Sequence, residues 1–304
     1  MILRPSMILK HDECPRAYKY QVVDKIRPAI TSVNLPFGTT VHDACTEYVK
    51  AVAAGQSYDP VKAFEKDFER VLSSQALRYP AGYEPEDMLK MGSRLTDTFG
   101  ETWEKTGLTP WVDTEGELVV ERRLRAQIAP GVTLTGKPDI VAMDPEGTQA
   151  VPDVKTAGAV TSDAFLEASE QLTAYQLLLE DPQNQSLLGT TAVSRLGFLI
   201  ARKGKVTARS RGPYWEGLRL GRRRTDDQVE EYRQKVVHVA KQIQSGYFPK
   251  RPRMAFNTPC GMCEYAGWCW RGDPTGLVFP DPEDLKPTEA STSNTDAYTS
   301  ADAF

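Results

Sequence analysis

The sequence has no run of 18 apolar residues, so it offers no candidate membrane span. Met1 to Lys10 lacks a long apolar core followed by a small-residue cleavage site, which excludes a signal peptide and points to a cytoplasmic protein. There is no internal repeat, and no Gly-x4-Gly-Lys-Ser/Thr segment, so the chain carries no helicase motor of its own. Cysteine is scarce, at five residues. In the cytoplasm disulfides are rare, and cysteines tend to be free, reactive or metal-bound. An odd count then raises the question of which belong together. What is present suits a globular protein: 304 residues, 40% hydrophobic and 26% charged, enough for a sizeable core in one or two domains. That composition excludes collagen-like, coiled-coil and wholly disordered classes.

The net charge of −4 argues at first against a nucleic-acid partner, but its distribution does not. Residues 280–304 carry six acids and one base, leaving the rest of the chain at +1. Within that remainder, Arg202 to Arg224 holds nine basic residues against the single acid Glu216. Local patches, not the global sum, choose electrostatic partners.

Along the chain, Ser6 can cap a first helix running to Tyr20, with Cys14-Pro15 inside it or at its boundary. Leu35 to Ala54 reads as a helix carrying His42, and Asp59-Pro60 opens another through about Leu77. Met88, Met91, Leu95, Phe99 and Trp103 recur at helical steps between Glu84 and Lys105. The pattern then turns to strands: Glu117–Ala129, Val132–Met143 and Ala150–Thr156, separated by Pro130-Gly131 and Asp144-Pro145-Glu146-Gly147 turns. A helix from Ser162 or Asp163 to Leu179, a strand from Thr190 to Ala201 and a helix from Asp226 to Ser245 follow. The Ser/Thr/Pro/Asp-rich residues 280–304 read as an acidic disordered tail.

Three polar groups converge on this reading. A hairpin centred on the Asp144–Gly147 turn sets Asp139 opposite Pro152, within a residue of Asp153. Pro152 removes a ladder hydrogen bond and so marks an edge or a bulge. Lys155, two residues beyond Asp153, shares its face of the strand. Carboxylates bind hard divalent ions, which neutralise phosphate charge and lower the pKa of bound water; a nearby ammonium stabilises the charge that develops. An Asp-x-Lys triplet alone is weak, arising by chance about once in a chain of this length.

Order and company strengthen it. Gly38-Thr39-Thr40-Val41-His42 on an early helix is followed by Gly136-Lys137-Pro138-Asp139 and Asp153-Val154-Lys155 on successive strands. Gln171-Leu172-Thr173-Ala174-Tyr175 comes on the next helix. The series resembles the RecB-like branch of the PD-(D/E)xK nucleases, which carry these motifs in this order. The resemblance implies an α/β fold with a restriction-endonuclease-like core: a mixed central sheet flanked by helices. It makes His42, Asp139 and Asp153 ligands of Mg²⁺ or Mn²⁺, supplemented by the Val154 carbonyl, with Lys155 as the catalytic lysine. Gln171 and Tyr175 would orient the substrate or the lysine in the DNA groove, and Glu121 is a weaker auxiliary acid.

Near the C-terminus, Cys260-Gly261-Met262-Cys263 is followed by Cys269, a spacing expected by chance in on the order of one in a thousand such chains. Thiolates at these gaps suit a soft metal site that is one ligand short. Cys14 or Cys45 could complete it, and four thiolates accept either zinc or an iron–sulfur cluster. Ser6…Cys14-Pro15-Arg16-Ala17-Tyr18 is similar to the N-terminal Cys-Pro segment of Fe–S nucleases, among them the CRISPR-associated Fe–S exonucleases and the nuclease domain of AddB-type helicase–nucleases. That resemblance implies a 4Fe-4S cluster on Cys14, Cys260, Cys263 and Cys269, clamping the fold, with zinc as the rival. Cys45 would pack beneath the active site.

The organisation expected is one nuclease domain over 1–279 and the acidic tail over 280–304. The domain divides into a helical lobe at about 59–107 (a scaffold or DNA-facing lobe), a catalytic core at about 117–201 and a cluster segment at 246–272. Arg222, Arg223 and Arg224, with Tyr214 and Trp215 nearby, are candidates for gripping a DNA backbone. The expected activity is that of a metal-dependent DNA exonuclease in recombination, repair or phage DNA metabolism, in a prokaryotic cell or phage-infected host. A helicase or a single-stranded DNA-binding protein is a candidate partner. The alternatives are a CRISPR-adaptation nuclease that trims ends and a binding-only protein that holds DNA without cutting.

Overall fold

The computed structural model describes residues 1–158, 162–190, 192–251 and 258–281; the acidic tail falls almost wholly outside them. The chain opens with β1 (Ile2–Leu3), α1 (Pro5–Glu13) and α2 (Pro15–Tyr18), then a π-helical turn at Lys19–Val23. The single helix expected from Ser6 to Tyr20 breaks at Cys14, which is extended at φ −160, ψ 108. Proline disfavours helical geometry in the residue before it, and this places the Cys14 side chain at a corner. Short strands β2 (Arg27–Pro28) and β3 (Thr31–Ser32) lead into α3 (Asn34–Ala53), the helix of His42.

Next come α4 (Pro60–Ser74), β4 (Leu77–Arg78), α5 (Pro85–Asp97), α6 (Phe99–Thr106) and β5 (Thr109–Pro110). Asp59 caps α4 by accepting from the Lys62 amide at 3.1 Å. The helix expected over 84–105 is two, divided at Thr98 (φ −91, ψ 1), whose hydroxyl bonds back to the Arg94 carbonyl at 2.9 Å. The apolar stripe survives the break, because Met88, Met91, Leu95, Phe99 and Trp103 are all buried.

The strands follow: β6 (Leu124–Ala129), β7 (Val132–Gly136), β8 (Ala142–Met143) and β9 (Gln149–Ala157). Helices α7 (Asp163–Glu167), α8 (Glu170–Leu179) and α9 (Pro182–Leu188) precede β10 (Arg195–Arg202), β11 (Tyr214–Arg222) and α10 (Asp226–Gln244). A 3₁₀ turn at Pro259–Met262, α11 (Ala266–Arg271) and β12 (Leu277–Val278) complete the described chain. The strand expected over Val132–Met143 is interrupted at Pro138, which has no N–H to donate. The chain leaves one sheet there (β1-β7-β6) and enters another (β11-β10-β9-β8-β5), with Asp139 at the crossing.

The five-stranded sheet is mixed: β9 and β10 run parallel, and the remaining pairs are antiparallel. Its centre is covered on both faces. Val151, Leu196, Phe198 and Ile200 join the core that includes Leu172, Leu178, Val236 and Val239 from α8 and α10. Ala150, Val154, Leu199 and Ala201 join the core built from α3 to α6. This is why β9 is buried continuously from Gln149 to Val154 instead of alternating. Helices α4 to α6, expected as a scaffold or DNA-facing lobe, pack against this face of the sheet. Trp215 of β11 donates its indole N–H to the Leu95 carbonyl at 2.9 Å and packs, tilted, against the Phe99 ring. Gly92 is required in that layer, since a Cβ there would collide with the Phe64 ring.

Candidate active site

The site begins with a vacancy in a sheet. Strand β8 is two residues long, pairing Ala142 with Ala150 and Met143 with Gln149, so β9 loses its neighbour on that side beyond Ala150. The Gln149 and Ala157 carbonyls accept from the β10 side, from the Ser194 and Lys203 amides. Pro152 and Val154, of the alternate parity, therefore turn their backbones to the vacated side. Pro152 costs nothing there, as no ladder bond is required of it. The Val154 amide bonds instead to Asp139 Oδ2 at 2.7 Å. The β8–β9 register, continued, sets Asp139 level with Asp153, one residue from the expected pairing with Pro152.

Helix α3 brings His42 to the same opening. Gly38 permits the approach: a Cβ there would stand 3.2 Å from Thr156 Oγ1 on β9. His42 Nε2 lies 3.0 Å from Asp139 Oδ2 and 3.4 Å from Glu121 Oε1, while Nδ1 is 3.2 Å from Asp43 Oδ1. Asp43 thus fixes the ring and aims Nε2 at the carboxylates, the arrangement by which an outer carboxylate orients a metal-binding histidine. Glu121 arrives by a backbone contortion, at φ 58, the left-handed region that a residue with a Cβ rarely adopts. Its amide is held by the Asp139 carbonyl at 2.9 Å, and its other oxygen pairs with Lys137. His42, Glu121 and Asp139 each offer a ligand atom within 4.8 Å of the others, the one such His/Cys/Asp/Glu group among the described residues.

On the other face of β9, Asp153 is wholly buried and Lys155 Nζ stands 2.8 Å from its Oδ2. Gln171 Nε2 donates to Asp153 Oδ1 at 3.1 Å and to the Tyr175 hydroxyl at 2.7 Å, and that hydroxyl lies 3.3 Å from the same Oδ1. Gln171 and Tyr175, expected to orient substrate or the lysine, are directed at Asp153. Their spacing puts both on one turn of α8, facing β9.

Electrostatics follow from packing three carboxylates into one opening. Burial, then the Asp139 charge, pushes Asp153 up to about 7 despite Lys155. Burial would raise Asp139 as well, but His42 and Lys155 outweigh it and hold it low. Burial and Asp139 raise Glu121. His42 is raised well above its ordinary value, because Asp139 and its neighbours overcome the penalty of burial. Burial and the nearby Asp153 also raise Tyr175, which stays a phenol able to donate. The opening therefore retains protons where a divalent cation would neutralise the same charge.

The basic candidates are placed differently. Arg222 pairs across the sheet with Arg195, and Arg195 with Ala150, five residues and about 16 Å along β9 from Lys155. Arg224 is buried, donating to the Leu166 carbonyl at 2.7 Å and lying 3.3 Å from Thr173 Oγ1. Arg223 is paired with Glu180 and Asp226, each at 3.1 Å. Both guanidinium groups therefore have intramolecular partners, whereas the Arg222 side chain is exposed.

The cysteines fall into four and one. Cys14, Cys260, Cys263 and Cys269 line a single cavity with Arg16, Tyr20, Lys250 and Tyr265 among its walls. Tyr265 braces it by donating to the Ile26 carbonyl at 3.0 Å. Cys45 is buried in the core of α3 to α6, one turn from His42. The four thiols share a cavity without gathering within 4.8 Å of one another.

A family model described as the PD-(D/E)XK nuclease superfamily matches residues 5–270. The chain belongs to that superfamily: it is a nuclease, of a class that uses divalent metals and takes DNA as substrate. No curated protein matches the sequence. Among solved structures, the crystal structure of SSO0001 is similar at 13% identity over 87% of this chain and 84% of that one, with a TM-score of 0.30. That likeness is too remote to transfer residue roles. Among the described residues no helix is long and apolar enough to cross a membrane.

Two residues of the site are faintly marked or unmarked in the sequence. Glu121 joins the group only through its left-handed backbone, and Asp43 matters only because it reaches the Nδ1 of its neighbour. The acid beside His42 is the available signal.

Proposed function

We propose that the protein is a metal-dependent DNA exonuclease acting on single strands or DNA ends in recombination, repair or phage DNA metabolism. The observation that carries this is the junction of two sets of groups at the open edge of β9: the His42–Glu121–Asp139 group and the Asp153–Lys155 pair. Asp139, Asp153 and His42 would hold Mg²⁺ or Mn²⁺, with the Val154 carbonyl beside them and Glu121 in reserve. The bound ion supplies charge neutralisation and a water of lowered pKa. Lys155 would orient such a water and meet developing phosphate charge, while Gln171 and Tyr175 keep Asp153 in register. A buried Asp153 held against Lys155 favours cutting over a binding-only role.

We further assign a 4Fe-4S cluster to Cys14, Cys260, Cys263 and Cys269, as a clamp between the N-terminal segment and the residues around α11. Support comes from the cavity that the four thiols share. Purified protein should be brown with broad absorbance near 400 nm; colourless protein with stoichiometric zinc overturns the assignment. The nuclease reading is tested with end-labelled and internally labelled DNA, single- and double-stranded, in Mg²⁺ or Mn²⁺. Wild type should release mononucleotides or short products from ends and Lys155→Ala should not. Equal activity in both proteins would falsify the assigned site.

A further inference from the structure

The corner between β9 and α8 presents an aromatic ring that rests on the core by one edge and leaves half its surface exposed. Phe165 keeps 52% of its surface exposed, on α7, a helix with no buried residue. A surface helix of one turn has little reason to be stable, yet this one is clamped at several points. Asp163 pairs with Arg219 at 3.0 Å, and the Leu166 carbonyl accepts from the buried Arg224 at 2.7 Å. Leu166 itself lies over Gly221, where any Cβ would come within 2.8 Å of it. Ser162 caps the first turn through the Phe165 amide.

What the clamps hold in place is the ring. Phe165 stands 5.4 Å from the Phe198 ring, and Phe198 pairs in register with Asp153 on β9. Cross-strand neighbours share a face of the sheet about 5 Å apart, so the exposed ring lies one side chain beyond the buried carboxylate. Four residues past the end of α7, Gln171 bonds to that same Asp153. An apolar face held at fixed height beside the reacting centre offers a nucleobase what every base has, a π surface, with no hydrogen-bond readout.

We infer that Phe165 is a stacking platform for the base of a nucleotide flanking the scissile phosphate, and that the site therefore takes an unpaired strand. In a duplex both faces of each base are already covered by stacked neighbours, so only a single strand or a frayed end can use the ring. This deepens the nuclease reading above and rests on it.

The test uses full-length protein carrying Lys155→Ala to stop cleavage, with Mn²⁺ present, and fluorescence anisotropy on a labelled oligothymidylate and a labelled blunt duplex. Adding Phe165→Ala or Phe165→Leu should weaken single-strand binding on the order of tenfold, the effect of losing one base–aromatic stack, and leave duplex binding within about twofold. The leucine variant keeps apolar contact with Phe198, so its weaker binding reports the ring and not the fold. Phe165→Trp should bind as the parent does, and its added indole fluorescence should be quenched by oligothymidylate. Unchanged single-strand affinity in the alanine variant, an equal loss on duplex, or no quenching overturns the platform. The two readings fail separately. A wild type that cuts DNA while Phe165→Ala leaves binding untouched sinks only the platform, whereas a wild type that cuts nothing sinks the nuclease reading whatever Phe165 does.

Discussion

The carboxylate opening on β9 and the cysteine cavity, which we propose hold a divalent ion and a cluster, are prepared in opposite ways. Every donor in the first is already tied down by protein: Asp139 by the Val154 amide, Asp153 by Gln171 and Lys155, His42 by Asp43. The thiols of the second share a cavity without three of them gathering within 4.8 Å of one another. A pre-organised site binds and exchanges its ion with little rearrangement, as turnover requires. A site that its guest must complete couples binding to folding, as a structural clamp requires.

Striking each site in turn while reading both separates their roles. Asp139→Asn removes a charge shared by His42 and the Val154 amide. It should cut DNA cleavage about a thousandfold and abolish tight Mn²⁺ binding by calorimetry, while absorbance near 400 nm stays intact. Cys263→Ser should do the reverse. Colour is lost and the thermal midpoint falls by about 8 °C, the equivalent of about 3 kcal/mol, while cleavage per folded molecule at low temperature is nearly unchanged. If Cys263→Ser abolishes cleavage in protein that is still folded, the cavity is not merely a clamp.

Smaller changes sharpen the carboxylate side. Tyr175→Phe deletes one hydrogen-bond donor to Asp153 in a pocket that burial keeps dry, and should cost about tenfold in cleavage, within the range for outer-shell partners of metal ligands. The pH dependence of stability should also distinguish empty from loaded protein. Asp153 keeps its proton up to about 7 when folded, yet releases it near pH 4 when unfolded. Between those values the native state binds more protons, so its stability falls as pH rises. The raised Glu121 and His42 act in the same direction. The thermal midpoint in EDTA should therefore decline from pH 5 to pH 8, and the increment gained on adding Mn²⁺ should grow over the same range. An increment that shrinks with pH would mean the ion is not replacing these protons.

Much of this site was legible because its parts follow local rules. Helical spacing put Gln171 beside Tyr175, strand alternation put Lys155 on the face of Asp153, and the Asp144–Gly147 turn brought Asp139 back to β9 within one residue of the true register. What escaped depends on long-range choices. Pro138 ends one sheet and starts another, so a single expected strand becomes two, and the site lies at the seam. Glu121 enters through a backbone conformation that no pattern of residue types announces. The arginine-rich stretch shows the limit most plainly: composition identified the basic residues, but only the antiparallel pairing of β10 with β11 says which end of the sheet receives them.

That pairing yields the smallest expected effect. Arg222 projects from the end of β11 opposite Arg195, about 16 Å from the level of Lys155. The basic residues at the catalytic end of β10 are instead Arg202, already paired with Glu216 at 3.1 Å, and Lys203, whose ammonium donates to Asn34 at 2.7 Å beside the start of α3. Burial lowers Lys203 from its ordinary value, so an arriving phosphate would restore charge stabilisation that the protein alone does not supply. Neutralising a lysine or arginine that grips a phosphate reduces the salt slope of binding by about one. Arg222→Ala should leave affinity for a short oligonucleotide within about twofold and its salt slope unchanged, whereas Lys203→Ala should lower the slope by about one. A full unit of slope removed by neutralising Arg222 would mean that the strand runs the whole length of β9, and that the two ends of the sheet are one track.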